Sequence, residues 1–370
     1  MKKKSHYILF FLLPLFGYGQ IININDATDP ESVMSLPELV ENVLIAGDCA
    51  NVSNFSEQVS GTPVQSTTKS YGFFKRPRNN TSFPFESGVI LTSGNAYAAG
   101  NDPRPNVQAD PNFPNNLPGD ADLEAELNNA PTFDATFIKF EFVPTSPDFN
   151  FRFLMASEEY DGAFECQYSD GFAFLLRDIT SPNYTNLAVL PNGDNVSVTN
   201  IHNATNCTPM NPTFFEGYEI GETNYGGRTV VLTASTTVIP NRTYEIKLVV
   251  ADQGDDAYDS AIFLEAGSFN IGLDLGPDLT IVDGNAPCTG TPHTISTNYP
   301  NLSHIWYLDG VEITGETTNI LDVSADGTYS VEVVFAAGCT GSDEVAIEFA
   351  ENPYICLLYT SDAADDVSTV

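Results

Sequence analysis

Long stretches of alternating apolar and polar side chains constrain this chain more than any other feature. Ile138, Phe140 and Phe142 alternate with Lys139 and Glu141, and Phe149, Phe151 and Phe153 alternate with Asn150 and Arg152. Tyr244, Ile246, Leu248 and Val250 alternate with Glu245 and Lys247 in the same way. A period of two puts every apolar member on one face of a strand, the mark of a half-buried antiparallel sheet. Gly, Pro, Asn and Asp fill the intervals between these runs at the spacing of turns. Helical spacing is confined to Ser35 to Ile45 and to a short stretch from Leu117 to Asn128, after Pro118. The expected fold class is all-β: an N-terminal antiparallel β-sandwich or jelly-roll-like domain followed by a second, smaller β-sandwich.

The chain opens with Lys2-Lys3-Lys4, an apolar run from Tyr7 to Phe16, and the small residues Gly17 and Gly19. That order is that of a secretory signal peptide, expected over residues 1–19 with cleavage before Gln20. The apolar run is too short to span a bilayer and no later window is long enough, so no membrane insertion is expected. At the other end, Cys356 to Asp366 matches the in-frame translation of a transposase sequencing adapter. Residues 356–370 are therefore expected to be an artefactual tail on a truncated gene, with any anchoring segment missing beyond it.

The formal net charge is -35. A surface this acidic repels phosphate, which excludes nucleic acid and anionic membrane as default partners. With 17% charged and 42% hydrophobic residues, the chain has the composition of a globular protein rather than a disordered one.

Two acidic loops each lead into an apolar strand. One holds Glu158, Glu159 and Asp161, with Glu165 and Asp170 before the run Phe172 to Leu176. The other holds Asp252, Asp255, Asp256 and Asp259 before Ala261 to Leu264. Asp120 and Asp122 form a third, shorter acidic pair. Carboxylates at this density repel one another, and few Lys or Arg lie near them in sequence. Calcium, which takes six to eight oxygens from carboxylates, carbonyls and water, is the expected counter-charge. Glu158, Asp252, Asp255 and Asp259 are the first choices as ligands. Neither loop has the EF-hand pattern, and solvated acids capping turns are the competing reading.

Six cysteines in an exported chain point to disulfides. Cys166 and Cys207 fall in the first domain, and Cys288 and Cys339 in the second. Cys49 could instead pair with Cys166 or Cys207, a choice left open by the sequence.

The domain boundary falls near Gly272 to Pro277, giving a first domain over 20–272 and a second over 273–350. The second carries Cys288, Trp306, a Gly327-Thr328-Tyr329-Ser330-Val331 strand and Cys339. It resembles an immunoglobulin-like module of bacterial surface proteins, a type that serves as a spacer. Its cysteine spacing departs from antibody domains, since Cys339 follows Tyr329 by ten residues.

The first domain resembles the choice-of-anchor L family of secreted bacterial surface proteins. The resemblance rests on Val52 to Phe55, Ser87 to Gly94, Gly119 to Leu123, Phe133 to Thr136, Ala156 to Tyr160, Asp170 to Phe174, Thr229 to Thr233 and Ala251 to Leu264. It implies an exported domain joined in different members to different C-terminal anchors, and supplies no activity. The arrangement looks like that of Bacteroidetes-type surface proteins, which often end in a type IX secretion sorting domain.

Enzymatic chemistry finds little support. Once the signal is removed only His202, His293 and His304 remain, and no nucleophile motif, metalloprotease motif or P-loop occurs. Paired carboxylates could hydrolyse glycosides, with Glu158 or Glu159 as acid and Asp170 or Asp259 opposite. The expected function is a secreted, cell-surface adhesion or binding protein whose calcium-ordered loops present a face for a glycan or a protein surface. Tyr97, Tyr160, Tyr168, Tyr218, Tyr225 and Tyr258 have the look of exposed loop aromatics, with the competing reading that most Phe and more than half of the Tyr are core. A glycan hydrolase and a purely structural surface-layer component are the alternatives.

Overall fold

The computed structural model describes residues 22–45, 52–64, 67–77, 82–101, 116–144, 147–161, 163–254, 256–269, 273, 275–282, 284–297, 299–334 and 340–351. The signal segment, Cys49, Asp255, Cys339 and the C-terminal tail lie outside these residues. Within them the first body is built from β1 (Asn23–Ile24), β2 (Val52–Gln58), β3 (Tyr71–Lys75), β4 (Ser87–Thr92), β5 (Thr132–Phe142), β6 (Asp148–Ser157), β7 (Gly171–Asp178), β8 (Thr185–Asn186), β9 (Phe215–Tyr218), β10 (Gly227–Thr229), β11 (Leu232–Thr237), β12 (Tyr244–Gln253) and β13 (Ser260–Glu265). One antiparallel sheet has the order β1-β3-β4-β13-β6-β10-β9, with β11 also on β6. The other has the order β2-β5-β12-β7-β8. The chain is nearly all β, in agreement with the alternation of its sequence.

The alternating rows meet between the sheets. Phe149, Phe151 and Phe153 of β6 and Ile262 and Leu264 of β13 come from one sheet. Phe140 and Phe142 of β5, Phe172 and Phe174 of β7, and Leu248 and Val250 of β12 come from the other. Aromatic rings interlock across the gap, Phe151 lying 4.9 Å from Phe174 and 4.9 Å from Phe269 between centroids. Such pairs add to the stabilisation that their buried area already provides.

Several strands are buried on both faces, not one as the alternation predicts. The apolar runs Ala261 to Leu264 of β13 and Phe172 to Leu176 of β7 are buried along their whole length. The outer face of the first sheet is closed by Ile22, Ile24, Phe83 and Phe85, which pack on Phe74, Ile90, Leu154 and Phe263. The outer face of the second is closed by the short helix α2 (Ala121–Glu126), whose Leu123 packs on Ala173, Leu175, Val249 and Ala251. Gly171 permits this approach, since a Cβ there would stand 2.4 Å from a Leu127 methyl.

The helical spacing from Ser35 is realised as α1 (Leu36–Leu39), continuing through a wider turn over Val40–Leu44. Ser35 and Glu38 form a capping box at its start.

From residue 273 on, a separate apolar cluster surrounds Trp306, with Leu321, Val323, Tyr329, Val331, Val333, Val345 and Ile347. It is enclosed by β14 (His293–Ser296) paired with β17 (Ile320–Val323), and by a sheet in the order β16 (Val311–Glu312), β15 (Ser303–Leu308), β18 (Gly327–Val334), β19 (Thr340–Ile347). The hairpin between β15 and β16 turns on Asp309 and Gly310, both at positive φ, as an Asp-Gly turn requires.

Phe151 touches four other rings, so Phe151→Ala should open a cavity and cost about 3–5 kcal/mol. The measurement is urea unfolding of the full chain, with the loss read from a lower midpoint at an unchanged slope.

Candidate functional site

Five inward-facing rows of the sandwich turn from apolar to polar at the same end. In the first sheet Leu91 is followed two residues on by Ser93, Met155 by Ser157, and Ile262 is preceded by Ser260. In the second, Phe172 is preceded by Asp170 and Val250 is followed by Asp252. All five polar residues are buried, Asp170 at 4% exposure and Asp252 at 1%. The register brings them together: Ser260 pairs with Ser157, and Ala251 pairs with Gly171, which sets Asp252 beside Asp170. The Gln253 N–H lies 3.4 Å from Asp170 Oδ1.

The loops that carry the remaining acids close over this level. Glu159 Oε2 accepts from the Ser157 hydroxyl at 2.8 Å and from the Asp170 N–H at 3.2 Å. Glu158 Oε2 accepts from the Asp259 N–H at 3.1 Å, and the Glu158 N–H donates to the Asp259 carbonyl at 3.1 Å. Asp259 lies against Gly94, where a Cβ would collide with its carboxylate. Glu158 and Glu159 are both buried.

Burial pushes the Asp170 carboxyl well above its ordinary range, reinforced by the charges of Glu159 and Asp252. Burial does the same to Asp252, reinforced by Asp259, while the Ser93 hydroxyl works in the opposite direction. Ser260 faces Asp170 closely enough to favour its charged form, yet its hydroxyl completes no hydrogen bond.

Other candidates lie elsewhere. Asp120 and Asp122 are held by Lys247, which contacts both carboxylates, the second at 2.8 Å, while stacking 4.4 Å from the Phe137 ring centre. Their counter-charge is thus an ammonium brought from β12, more than a hundred residues along the chain and invisible to a local search. Asp120 also caps α2, accepting from the Leu123 N–H. Asp161 is exposed and caps the next turn, accepting from Ala163 and Phe164 at 2.8 Å each. Asp256 is exposed on its loop.

Two of the expected exposed tyrosines are core. Tyr160 is buried and donates to the Ile201 carbonyl at 2.8 Å, and the hydroxyl of the buried Tyr225 pairs with Thr92 at 3.1 Å. Tyr168 is 51% exposed and Tyr218 38%. The Phe164 ring lies between Tyr168 and Tyr258, at 5.8 and 5.2 Å. These rings make an aromatic rim beside the acidic loops. Cys166 and Cys207 form a disulfide, which excludes the Cys49 alternatives and ties the first acidic loop to the loop after His202. Cys288 is disulfide-bonded as well.

Simple extension of the alternation would have found Ser93, Ser157 and Ser260: the rows run one step past their last apolar member, at the strand end or just beyond it. Attention to charge alone passes over these hydroxyls. Among the described residues, no three His, Cys, Asp or Glu side chains converge on one point as a metal trio would. His202 is buried, its Nδ1 accepting from the Ala204 N–H at 3.3 Å.

A sandwich with interlocked aromatic rows and an acid-lined end defines an all-β domain. The chain belongs to the choice-of-anchor L domain family, whose model matches residues 25–270. That membership points to a surface-associated protein. No curated protein matches the chain. Among solved structures, a β-1,2-glucanase from Parabacteroides distasonis is similar at 11% identity and a TM-score of 0.21, covering 85% of this chain and 39% of that one. The chain thus spans about two fifths of the glucanase, and at this score the likeness carries no argument about fold or activity. No helix among the described residues is long and apolar enough to cross a membrane.

Two outcomes follow from this geometry. Loss of the Cys166–Cys207 bridge, in a Cys166→Ser plus Cys207→Ser variant, should cost about 4 kcal/mol on the chain-entropy estimate, read by urea unfolding. In EDTA the thermal midpoint should rise as pH is lowered from about 8 toward about 5. The sign follows from the raised carboxyls: the folded chain binds protons more tightly than the unfolded one, so stability is lost as pH climbs through the folded values. An Asp170→Asn plus Asp252→Asn variant should show a flatter profile.

Proposed function

We propose that the chain is an exported surface module whose first domain presents a binding face at its acidic loop end. Calcium orders the loops from Ser157 to Asp170 and from Gln253 to Ser260, and the face takes a glycan. The observation that carries this reading is the meeting of both acidic loops at one end of a rigid sandwich, with the Phe164, Tyr168 and Tyr258 rings beside them. Loops held by a packed scaffold are the common location of binding sites. Tyrosine offers a sugar a flat apolar face together with a hydroxyl.

Burial of Glu158, Glu159 and Asp170 supports binding over hydrolysis. A glycosidase needs its two carboxyls to face an open cleft. The second body acts as an immunoglobulin-like spacer in this reading, supported by the buried Trp306 and by the Tyr329 hydroxyl, which donates to the Ala325 carbonyl at 2.9 Å.

The test is retention of the full chain on immobilised polysaccharides in millimolar calcium. Retention on at least one glycan is expected, with EDTA releasing the protein. Tyr168→Ala should weaken it by about tenfold, equivalent to about 1.4 kcal/mol. Failure to be retained on any polysaccharide, or retention indifferent to Tyr168, would sink the glycan reading.

A further inference from the structure

At the polar end of the inter-sheet core, Asp170 Oδ2, Asp252 Oδ1 and Ser260 Oγ are each buried and complete no hydrogen bond. A buried carboxylate oxygen without a donor is costly, and two beside each other are costlier still. The charges that act on this pair are negative: Glu159, Asp259 and, for Asp252, Asp134. Among the described residues, the lysine and arginine side chains buried in the first domain are committed elsewhere. Lys247 holds Asp120 and Asp122, Arg228 holds Glu216 and Glu222, and Lys69 donates to the Ser32 carbonyl at 2.8 Å. By contrast, Glu158 is engaged with the Asp259 main chain, and Glu159 with Ser157 and Asp170.

We propose that a calcium ion binds between the Asp170 and Asp252 carboxylates, with the Ser260 hydroxyl as a third ligand, and so joins the two sheets at the end of the core. This rests on the reading of calcium-ordered loops and says where the ion sits. Hard divalent cations take oxygen ligands and tolerate hydroxyls, with water filling the remaining positions. Two carboxylates and a hydroxyl from the ends of three strands meet that chemistry without a third acid. The ion would hold β7 and β12 of one sheet against β13 of the other. Glu159, one hydrogen bond behind Asp170, adds negative charge that strengthens cation binding. The expected site therefore shifts from Glu158 and Asp259, which brace the loops on each other, to Asp170 and Ser260.

The experiment is calorimetric titration of the full chain with calcium chloride after EDTA treatment and dialysis, paired with thermal unfolding. One binding event and a midpoint raised by several degrees are expected for the unaltered chain. Asp170→Asn and Asp252→Asn should each weaken calcium binding by tenfold or more. Their calcium-free midpoints should be no lower than that of the parent, because a neutral amide relieves the repulsion. Unchanged calcium affinity in both variants, with loss in Glu158→Gln or Asp259→Asn, would overturn this site while leaving calcium-ordered loops intact. Neither heat nor a midpoint shift in the parent chain would overturn both. A parent chain that ignores calcium but is stabilised by acidification would show that the pair holds a proton instead.

Discussion

The structure depends on the interlocking of phenylalanine rows between two sheets. Phe140, Phe142, Phe149, Phe151, Phe153, Phe172 and Phe174 fill the layer from both sides, and Phe269 closes against four of them. Rings of this size fix the separation and register of the sheets, because a slip by one residue would turn every ring outward. That fixed register is also what aligns the ends of the rows. Ser260 therefore faces Asp170 and Ser93 faces Asp252 as a consequence of the core, whose register also pairs Ser260 with Ser157.

Alternation made the inter-sheet core legible in the sequence, since strands β5, β6 and β12 can be read directly from their period of two. The outer layers were less legible. Whether Val249 or Ala173 meets water or a helix depends on where α2 lands, and that is decided by contacts distant in the chain. Uninterrupted runs such as Ala261 to Leu264 carried the only local hint that both faces would be covered.

The acidic loops were legible as charge but not as geometry. Local sequence offered Asp120 and Asp122 no cation, yet β12 delivers Lys247 to them. Tyr160 and Tyr225 looked like loop residues and are core, because the loops fold back onto the sandwich and satisfy their hydroxyls with Ile201 and Thr92. The Cys166–Cys207 pairing needed the structure, since three cysteines upstream of residue 272 allow several partners.

The central pairing of the first sheet has a kinetic consequence. Strand β4 lies against β13, with Thr92 opposite Ala261, and β13 in turn separates β4 from β6. The sheet therefore cannot assemble until nearly the whole domain is present, and its contact order is high. A chain threaded N-terminus first through a translocation pore would meet no stable half-domain along the way. Its first domain would remain extensible until β13 emerged.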